Sequence, residues 1–388
     1  MYKSQSLLFI RPFPESIIYL NGAIVSSILL WFVLKKNSRT SINSILFIYL
    51  IILINVYDLL LVIRLSFLST LIQFCSIVCA SSIIILPDRN KEYLLNLFIK
   101  ITSVLVLISL SGWILFLLKV PLPHYTNTSH PYYIHTIYYL FNLNGYPELQ
   151  LIPRFAGMFL EPGHLGTMCV FILYLKRFNL KSFLNIILLL GVLLSFSLAA
   201  YGLLVLSIVL ILYQNGKKLW IGFFSSIFIL IGLLSSMINN GDNALYELIF
   251  QRLEVTDDGD IKGNNRTSKT FDYVFDDYLK TDRIWLGYGR DSLGSAEDGS
   301  KSLTIGCATY KRYFFIRGVF GTILILLLLI SYWWKYRSVY STGFLIVYLV
   351  ANFIRDYPSE PIWLYIYLCA LPFLRRERNE KIAFVFRS

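Results

Sequence analysis

Three side chains with chemical capability lie close together in the stretch RFAGMFLEPGHLG at residues 154–166, directly before an apolar run. They are Arg154, Glu161 and His164. Pro162 suits the first turn of a helix because its missing N–H costs no hydrogen bond there. The stretch therefore predicts a helix that begins at Pro162, has Glu161 as its N-cap, and presents a guanidinium, a carboxylate and an imidazole at one end.

The pattern leaves two interpretations of Glu161 open. Its carboxylate could cap the helix and pair with Arg154, joining a loop to the helix bundle, or the two could line an active site. A helix N-terminus and a nearby arginine both favour the charged carboxylate and so weaken it as a base. As a site residue, Glu161 is expected to orient an attacking hydroxyl group. His164, on the same helix face, is either a substrate-binding residue or a passive hydrogen-bonding group.

A second group of candidates lies in NNRTSKTFDYVFDDYLKTDRIWLGYGRD at residues 264–291. Apolar residues at helical spacing predict an amphipathic helix: Phe271, Val274, Phe275, Tyr278 and Leu279. Thr267 or Ser268 would be its N-cap. Arg266 then stands at a helix N-terminus, where N–H donors, the helix dipole and a guanidinium together favour a phosphate.

The turn GYGRD follows this helix, and its glycines, Gly287 and Gly289, present Arg290. The alternative for the loop arginines is that they only balance the acidic charge of the segment. Further along the chain, arginines recur at the same ends of later apolar runs: Arg312, Arg317 and Arg355. They are candidates for substrate binding, with simple anchoring to lipid headgroups as the competing interpretation.

The histidines do not predict a metal site. His124, His130, His135 and His164 fit no helical ligand pair, and the acidic run DDGD at 257–260 is typical of a solvated loop. HPYYIHTIYYLFNL at 130–143 is typical of a segment lying at a membrane interface. We expect no metal and no cofactor. The five cysteines form no pattern.

The elements that position these residues follow from composition. The chain has 388 residues, of which 56% are hydrophobic and only 15% charged, whereas a soluble domain has about 25% charged residues. Its apolar runs approach the roughly 20 residues that cross a bilayer. We therefore expect a single all-α, polytopic membrane domain over 1–388 with about eleven transmembrane helices. The expected spans are 16–34, 42–62, 65–86, 97–118, 162–175, 183–198, 200–214, 219–237, 315–334, 339–355 and 361–374.

The net charge of +12 indicates topology rather than a nucleic-acid partner. Lys and Arg cluster in every second connector, as the positive-inside rule requires, which places the C-terminus in the cytoplasm. Segment 238–306 instead has 13 Asp/Glu against 8 Lys/Arg. Two long loops, 119–161 and 238–314, fall on the outer side. The short run 183–213 must cross twice, so its turn SFSLAAYG needs protein groups or a watery cavity to satisfy its backbone.

Two stretches resemble the family of O-antigen polymerases and O-antigen ligases, bacterial membrane glycosyltransferases. RFAGMFLEPGHLG is similar to the R-x-x-G-x-F-x-E-P-x-x-x-G element of the polymerase branch; the matching residues are Arg154, Gly157, Phe159, Glu161, Pro162 and Gly166. The second stretch is similar to the family's arginine, amphipathic helix and G-x-G element. Ligases place a histidine in the second large outer loop, and 238–314 has none, which favours a polymerase.

The resemblance implies a GT-C-like helical fold and a substrate built on undecaprenyl diphosphate, whose diphosphate Arg154, Arg266 and Arg290 would hold. The expected function is to polymerise lipid-linked oligosaccharide repeat units into O-antigen, capsule or exopolysaccharide at the outer face of the inner membrane. Besides membrane lipids, the expected partners are a chain-length regulator and a flippase of the same pathway. Two alternatives remain: a ligase that transfers the glycan to lipid A core or another acceptor, and a flippase without catalysis.

Overall fold

The computed structural model describes residues 42–61, 67–127, 135–138, 140–144, 152–159, 161–217, 269–289, 309–355 and 361–385, with isolated positions between 24 and 35 and between 219 and 226. The described part of the chain is mostly helical, which confirms the predicted class. Its α-helices are α1 (Ile42–Leu60), α2 (Phe67–Ile85), α3 (Asp88–Leu117), α4 (Pro162–Leu175), α5 (Phe183–Leu194), α6 (Leu198–Gln214), α7 (Lys269–Tyr278), α8 (Tyr310–Lys335), α9 (Val339–Ile354) and α10 (Pro361–Val385).

Two of these helices, α3 and α8, are long and apolar enough to cross a membrane, judged by length and composition. The other apolar helical stretches have 10–17 residues: Ser44–Leu60, Gln73–Ile85, Pro162–Leu175, Phe183–Leu194, Leu198–Gln214, Val339–Ile354 and Ile362–Arg375. The predicted spans 16–34 and 219–237 lie outside the described ranges. Membrane association is therefore indicated, and the number of crossings stays a prediction.

Helix α3 begins nine residues before the predicted span 97–118, and two of the charged residues in these added turns, Lys91 and Glu92, are buried. Lys91 is almost fully buried, with its Nζ 3.5 Å from a carboxylate oxygen of Asp88 and 3.4 Å from the hydroxyl of Tyr336. The rings of Tyr332 and Tyr336 lie 5.9 Å and 5.6 Å from the same ammonium. Buried charges that are paired in this way do not end a helix.

Side-chain hydrogen bonds sort the helix ends into two groups. At one end the start of α3 meets the end of α8, where Tyr336 donates to Asp88 over 2.8 Å, and the ends of α4 and α6 meet through Tyr174 and Gln214. We call this the basic end, because basic residues gather there: Lys91, Lys176, Arg177, Lys335, Arg337 and Arg375. The opposite, loop end holds the start of α4 and the end of α9. The loop end also carries arginines, of which Arg317 and Arg355 pair with carboxylates.

The loop 119–161 contains a small antiparallel sheet that the sequence did not predict. Its strands, β1 (His124–Asn127), β2 (His135–Tyr138) and β3 (Asn142–Asn144), pair in that order. The sequence of β2 shows no alternation of polar and apolar residues, because Thr136, Ile137 and Tyr138 are all buried. The sheet packs on α3, whose Phe116 ring contacts Tyr138.

Helix α4 is the centre of the bundle. Every residue from Pro162 to Leu175 is buried except His164, and α4 packs against α5, α6 and α9. A helix that is apolar on all sides must be enclosed by protein or lipid, and α4 is enclosed by protein. The polar motif at its start is therefore placed inside the loop end of the bundle.

Candidate functional site

The start of α4 is built as the sequence predicts, with a different partner for its carboxylate. Pro162 occupies the first turn, and Glu161 is the N-cap with extended backbone (φ −127°). The Glu161 side chain makes no capping hydrogen bond. Its Oε2 instead accepts a 2.5 Å hydrogen bond from Nη1 of Arg355, the residue that ends α9. Glu161 thus joins two helices that are distant in sequence.

The ion pair between Glu161 and Arg355 is strongly asymmetric in exposure. The Arg355 side chain is 7% exposed, whereas the Glu161 side chain is 40% exposed. An incoming molecule can therefore reach the carboxylate, while the guanidinium lies behind it and holds its orientation. Charge-assisted bonds of this kind are the strong ones.

A glycine makes room for this arginine. A Cβ atom on Gly163 would lie 2.3 Å from Nη2 of Arg355 and 3.3 Å from Oγ of Ser197. Ser197 caps α6 through a hydrogen bond from the N–H of Ala200. The Arg355 guanidinium is therefore enclosed between the first turn of α4 and the turn that joins α5 to α6.

Arg154 reaches the same turn. Its Nε donates to the carbonyl of Ser195 over 3.2 Å, and the N–H of Phe155 donates to the carbonyl of Leu194 over 3.0 Å. These bonds give two carbonyls of the turn protein partners, as the prediction of a recessed turn requires. Arg154, Glu161 and Arg355 thus lie around one structural unit, formed by the α5–α6 turn and the start of α4.

The loop that carries Arg154 is fixed by the small sheet and by α3. Asn142 of β3 donates its N–H to the carbonyl of Gly157 over 2.8 Å and its side-chain amide to the carbonyls of Met158 and Phe159. The indole N–H of Trp113 donates to the carbonyl of Pro153 over 3.2 Å. The sheet therefore positions the site, and no sequence signal pointed to that role.

Arg317 lies in a separate polar group, where its partner is a carboxylate of α1. Its Nε and Nη2 donate to the two carboxylate oxygens of Asp58 over 2.6 Å and 2.7 Å, and both side chains are almost completely buried. The Tyr313 ring lies 4.5 Å from the same guanidinium. The geometry gives Arg317, a sequence candidate for substrate binding, a role in joining α1 to α8. A single carboxylate in the apolar run 42–62 is the sequence signal that could have identified this pair.

The two glycines of GYGRD pack against a break in α8 beside this ion pair. Gly318 has φ 61° and ψ −167°, which interrupts the helix. The N–H groups of Tyr288 and Gly289 donate to the carbonyls of Phe315 and Ile316, each over 2.9 Å. Cβ atoms on Gly287 and Gly289 would lie 2.4 Å from the carbonyl oxygen of Ile316 and 2.1 Å from that of Leu61 respectively. Both glycines are required by close backbone contact and by positive φ.

The amphipathic helix predicted after Arg266 is confirmed as α7. Its Phe271, Phe275 and Tyr278 are buried against Phe315 of α8, and Leu279 is more exposed. The Tyr278 hydroxyl donates to the carbonyl of Phe314 over 3.1 Å. Burial raises the pKa of this phenol, so it stays a proton donor at neutral pH. Lys311 and Asp272 form a 2.6 Å ion pair that also joins α8 to α7.

The remaining candidates are placed as follows. His164 is half-buried in the first turn of α4 and donates its N–H to the carbonyl of Glu161. Arg312 is half-buried in the first turn of α8. Next to it, the Tyr310 ring stacks on Phe353 of α9 at 4.3 Å, which brings the start of α8 beside the end of α9. Arg266, its predicted caps Thr267 and Ser268, and Arg290 lie outside the described residues.

Within the described ranges, no group of three or more His, Cys, Asp or Glu side chains is arranged to hold a metal ion. No family model matches the chain, and neither a curated protein nor a solved structure matches it significantly.

Proposed function

We propose that this chain is a metal-independent glycosyltransferase that joins undecaprenyl-diphosphate-linked oligosaccharide repeat units into a surface polysaccharide. The observation that carries the proposal is the start of α4, where a reachable carboxylate is held by a buried arginine and a second arginine lies on the neighbouring turn. The motif resemblance of the sequence adds the substrate class.

The proposal includes a membrane placement. The chain crosses the bacterial inner membrane about eleven times, with the basic end and the C-terminus in the cytoplasm and both long loops outside. Two helices of spanning length support this arrangement, as does the clustering of Lys and Arg in every second connector of the sequence. A flippase would deliver the substrate to the loop end, and a chain-length regulator would act on the product.

In the proposed reaction, a sugar hydroxyl of one repeat unit attacks the anomeric carbon of a second, lipid-linked unit. The new glycosidic bond forms as the bond from that carbon to the diphosphate oxygen breaks, and the electron pair leaves with undecaprenyl diphosphate. The hydroxyl proton passes to water. Diphosphate is a good leaving group, so the chain's main task is to place cations where negative charge grows.

In the proposed reaction the polar residues have different roles. Arg154 binds the diphosphate together with Arg266 and Arg290, aided by the positive end of the α4 dipole. Glu161 orients the attacking hydroxyl, because its carboxylate is the reachable half of the ion pair. Arg355 acts as a positioning residue that holds Glu161.

The test uses purified protein in proteoliposomes with undecaprenyl-diphosphate repeat units and EDTA, and follows glycan length on a gel. We expect a ladder of products from the wild type. Arg154→Ala and Arg266→Ala should abolish the ladder. Glu161→Gln should slow elongation by about 10²–10³-fold, the range for loss of one transition-state contact. Arg337→Ala, an exposed arginine at the basic end, is the matched control and should leave the ladder unchanged.

Other outcomes would redirect the proposal. Transfer of a single preformed glycan to a different acceptor, without a ladder, would indicate a ligase. Transport of the lipid-linked unit across vesicles with no change in glycan length would refute the enzyme. A ladder that disappears with EDTA and returns with a divalent cation would refute metal independence.

A further inference from the structure

The outer surface of α8 continues beyond the helix onto the second loop. After the break at Gly318, α8 exposes an aliphatic stripe: Ile323, Leu326, Leu327 and Ile330. A stripe of this kind on a helix long enough to span is the surface that meets lipid chains.

Exposed aromatic residues bracket this stripe. Trp334 is 64% exposed at the basic end, and Phe320 is 50% exposed at the loop end. Their separation of fourteen positions corresponds to about 21 Å of helix, somewhat less than the roughly 30 Å of bilayer hydrocarbon. Trp concentrates at membrane interfaces, so with Trp334 at the interface of the basic end, Phe320 lies within the acyl chains of the leaflet at the loop end.

The second loop is hydrogen-bonded to α8 at that depth. The N–H of Phe320 donates to the carbonyl of Trp285 over 3.1 Å, and the two rings lie 5.8 Å apart. The Tyr57 hydroxyl donates to the carbonyl of Leu286 over 2.7 Å. The side chains of Trp285 and Leu286 are about half exposed and extend the apolar surface of α8 beyond its break.

Charged side chains flank these apolar groups. Lys280, Asp282 and Arg283 are exposed, and Leu279 is exposed beside them. Apolar bodies next to charged heads suit the boundary between acyl chains and headgroups. The main-chain bond from Phe320 of α8 and the bond from the Tyr57 hydroxyl of α1 fix the segment at the height of the first turn after Gly318.

We propose that residues 279–286, the anchor segment, insert Trp285 and Leu286 into the bilayer leaflet at the loop end. The partner is the lipid surface itself. The inference goes beyond the proposed enzymatic function and requires only that α8 spans the membrane. It gives the second loop a fixed height above the bundle, independent of substrate.

The test places a nitroxide at Leu286→Cys, in a chain whose five native cysteines are replaced by alanine, reconstituted in phosphatidylcholine–phosphatidylglycerol liposomes. Collision with oxygen, which concentrates in lipid, is compared with collision with a water-soluble nickel chelate by electron paramagnetic resonance. Leu327→Cys, in the aliphatic stripe, is the lipid control, and Asp277→Cys, on the exposed face of α7, is the water control.

We expect the oxygen-to-nickel ratio at position 286 to approach that at 327 and to exceed that at 277 several-fold. A ratio equal to that at 277 would place the segment in water and overturn the proposal. Low collision with both reagents would show that another part of the chain covers it, which also overturns the proposal. A lipid signal at 327 in the same preparations verifies the fold, and the result is independent of any loss of polymerase activity.

Discussion

Removing the carboxylate of Asp58 should destabilise the protein strongly. The substitution Asp58→Ala leaves the buried guanidinium of Arg317 without the bidentate partner that now lies 2.6–2.7 Å away. Breaking a buried ion pair from one side costs about 3–5 kcal/mol. The Tyr313 ring stays 4.5 Å from the guanidinium and offsets part of this cost, so we expect about 3 kcal/mol, a large share of a total stability of about 5–15 kcal/mol.

The measurement is equilibrium unfolding in mixed micelles, followed by circular dichroism. Asp277→Ala is the matched control, because this carboxylate also pairs with a basic residue but both side chains are at least 75% exposed; its effect should stay within about 0.5 kcal/mol. The double substitution Asp58→Leu with Arg317→Met should recover most of the lost stability, since replacing both buried charges by apolar groups is often neutral.

The reasoning has two ways to fail. If Asp58→Ala unfolds like the wild type, the pair contributes nothing and Arg317 returns to the list of substrate-binding candidates. If the double substitution lowers the free energy of unfolding by the sum of the losses from the two single substitutions, the two residues are not coupled. The joining of α1 to α8 would then have another source.

Two glycines give sharper tests of the site and of the loop. Gly163→Ala should leave the fold intact but displace the flexible end of Arg355, 2.3 Å from the new Cβ, and slow glycan elongation at least about tenfold; Gly202→Ala, with nothing within 4 Å, should elongate normally. Gly289→Ala combines positive φ with a 2.1 Å backbone clash and should cost more than about 3 kcal/mol in unfolding measurements. Gly216→Ala, with similar φ in open space, should cost only about 1 kcal/mol, and equal effects at both glycines would contradict the packing argument.

The helices could be predicted from sequence because they depend on local information. The apolar runs place α1, α4, α6 and α9 within a few residues of their observed bounds, and Pro162 fixes the start of α4. The spacing of Phe271, Phe275 and Tyr278 predicts which face of α7 is buried. Periodicity and capping act within one or two turns, so a single sequence carries them.

The partners of the charged side chains could not be predicted in the same way. Glu161 and Arg355 are 194 residues apart, and several arginines were equally available to that carboxylate. The break at Gly318 falls in an apolar stretch that reads as continuous helix, since the cause lies in the GYG turn that packs against it. These features depend on tertiary packing, which one sequence does not encode in any local pattern.

The ion pair of α1 and α8 also has a consequence for biosynthesis. Asp58 precedes Arg317 by 259 residues, so at about 5–20 residues per second the ribosome makes the arginine roughly 13–50 s later. During that interval α1 carries a carboxylate without its eventual partner. In the proposed membrane topology, α1 must remain at the insertion machinery until α8 arrives. Assembly of the bundle is then completed late in translation.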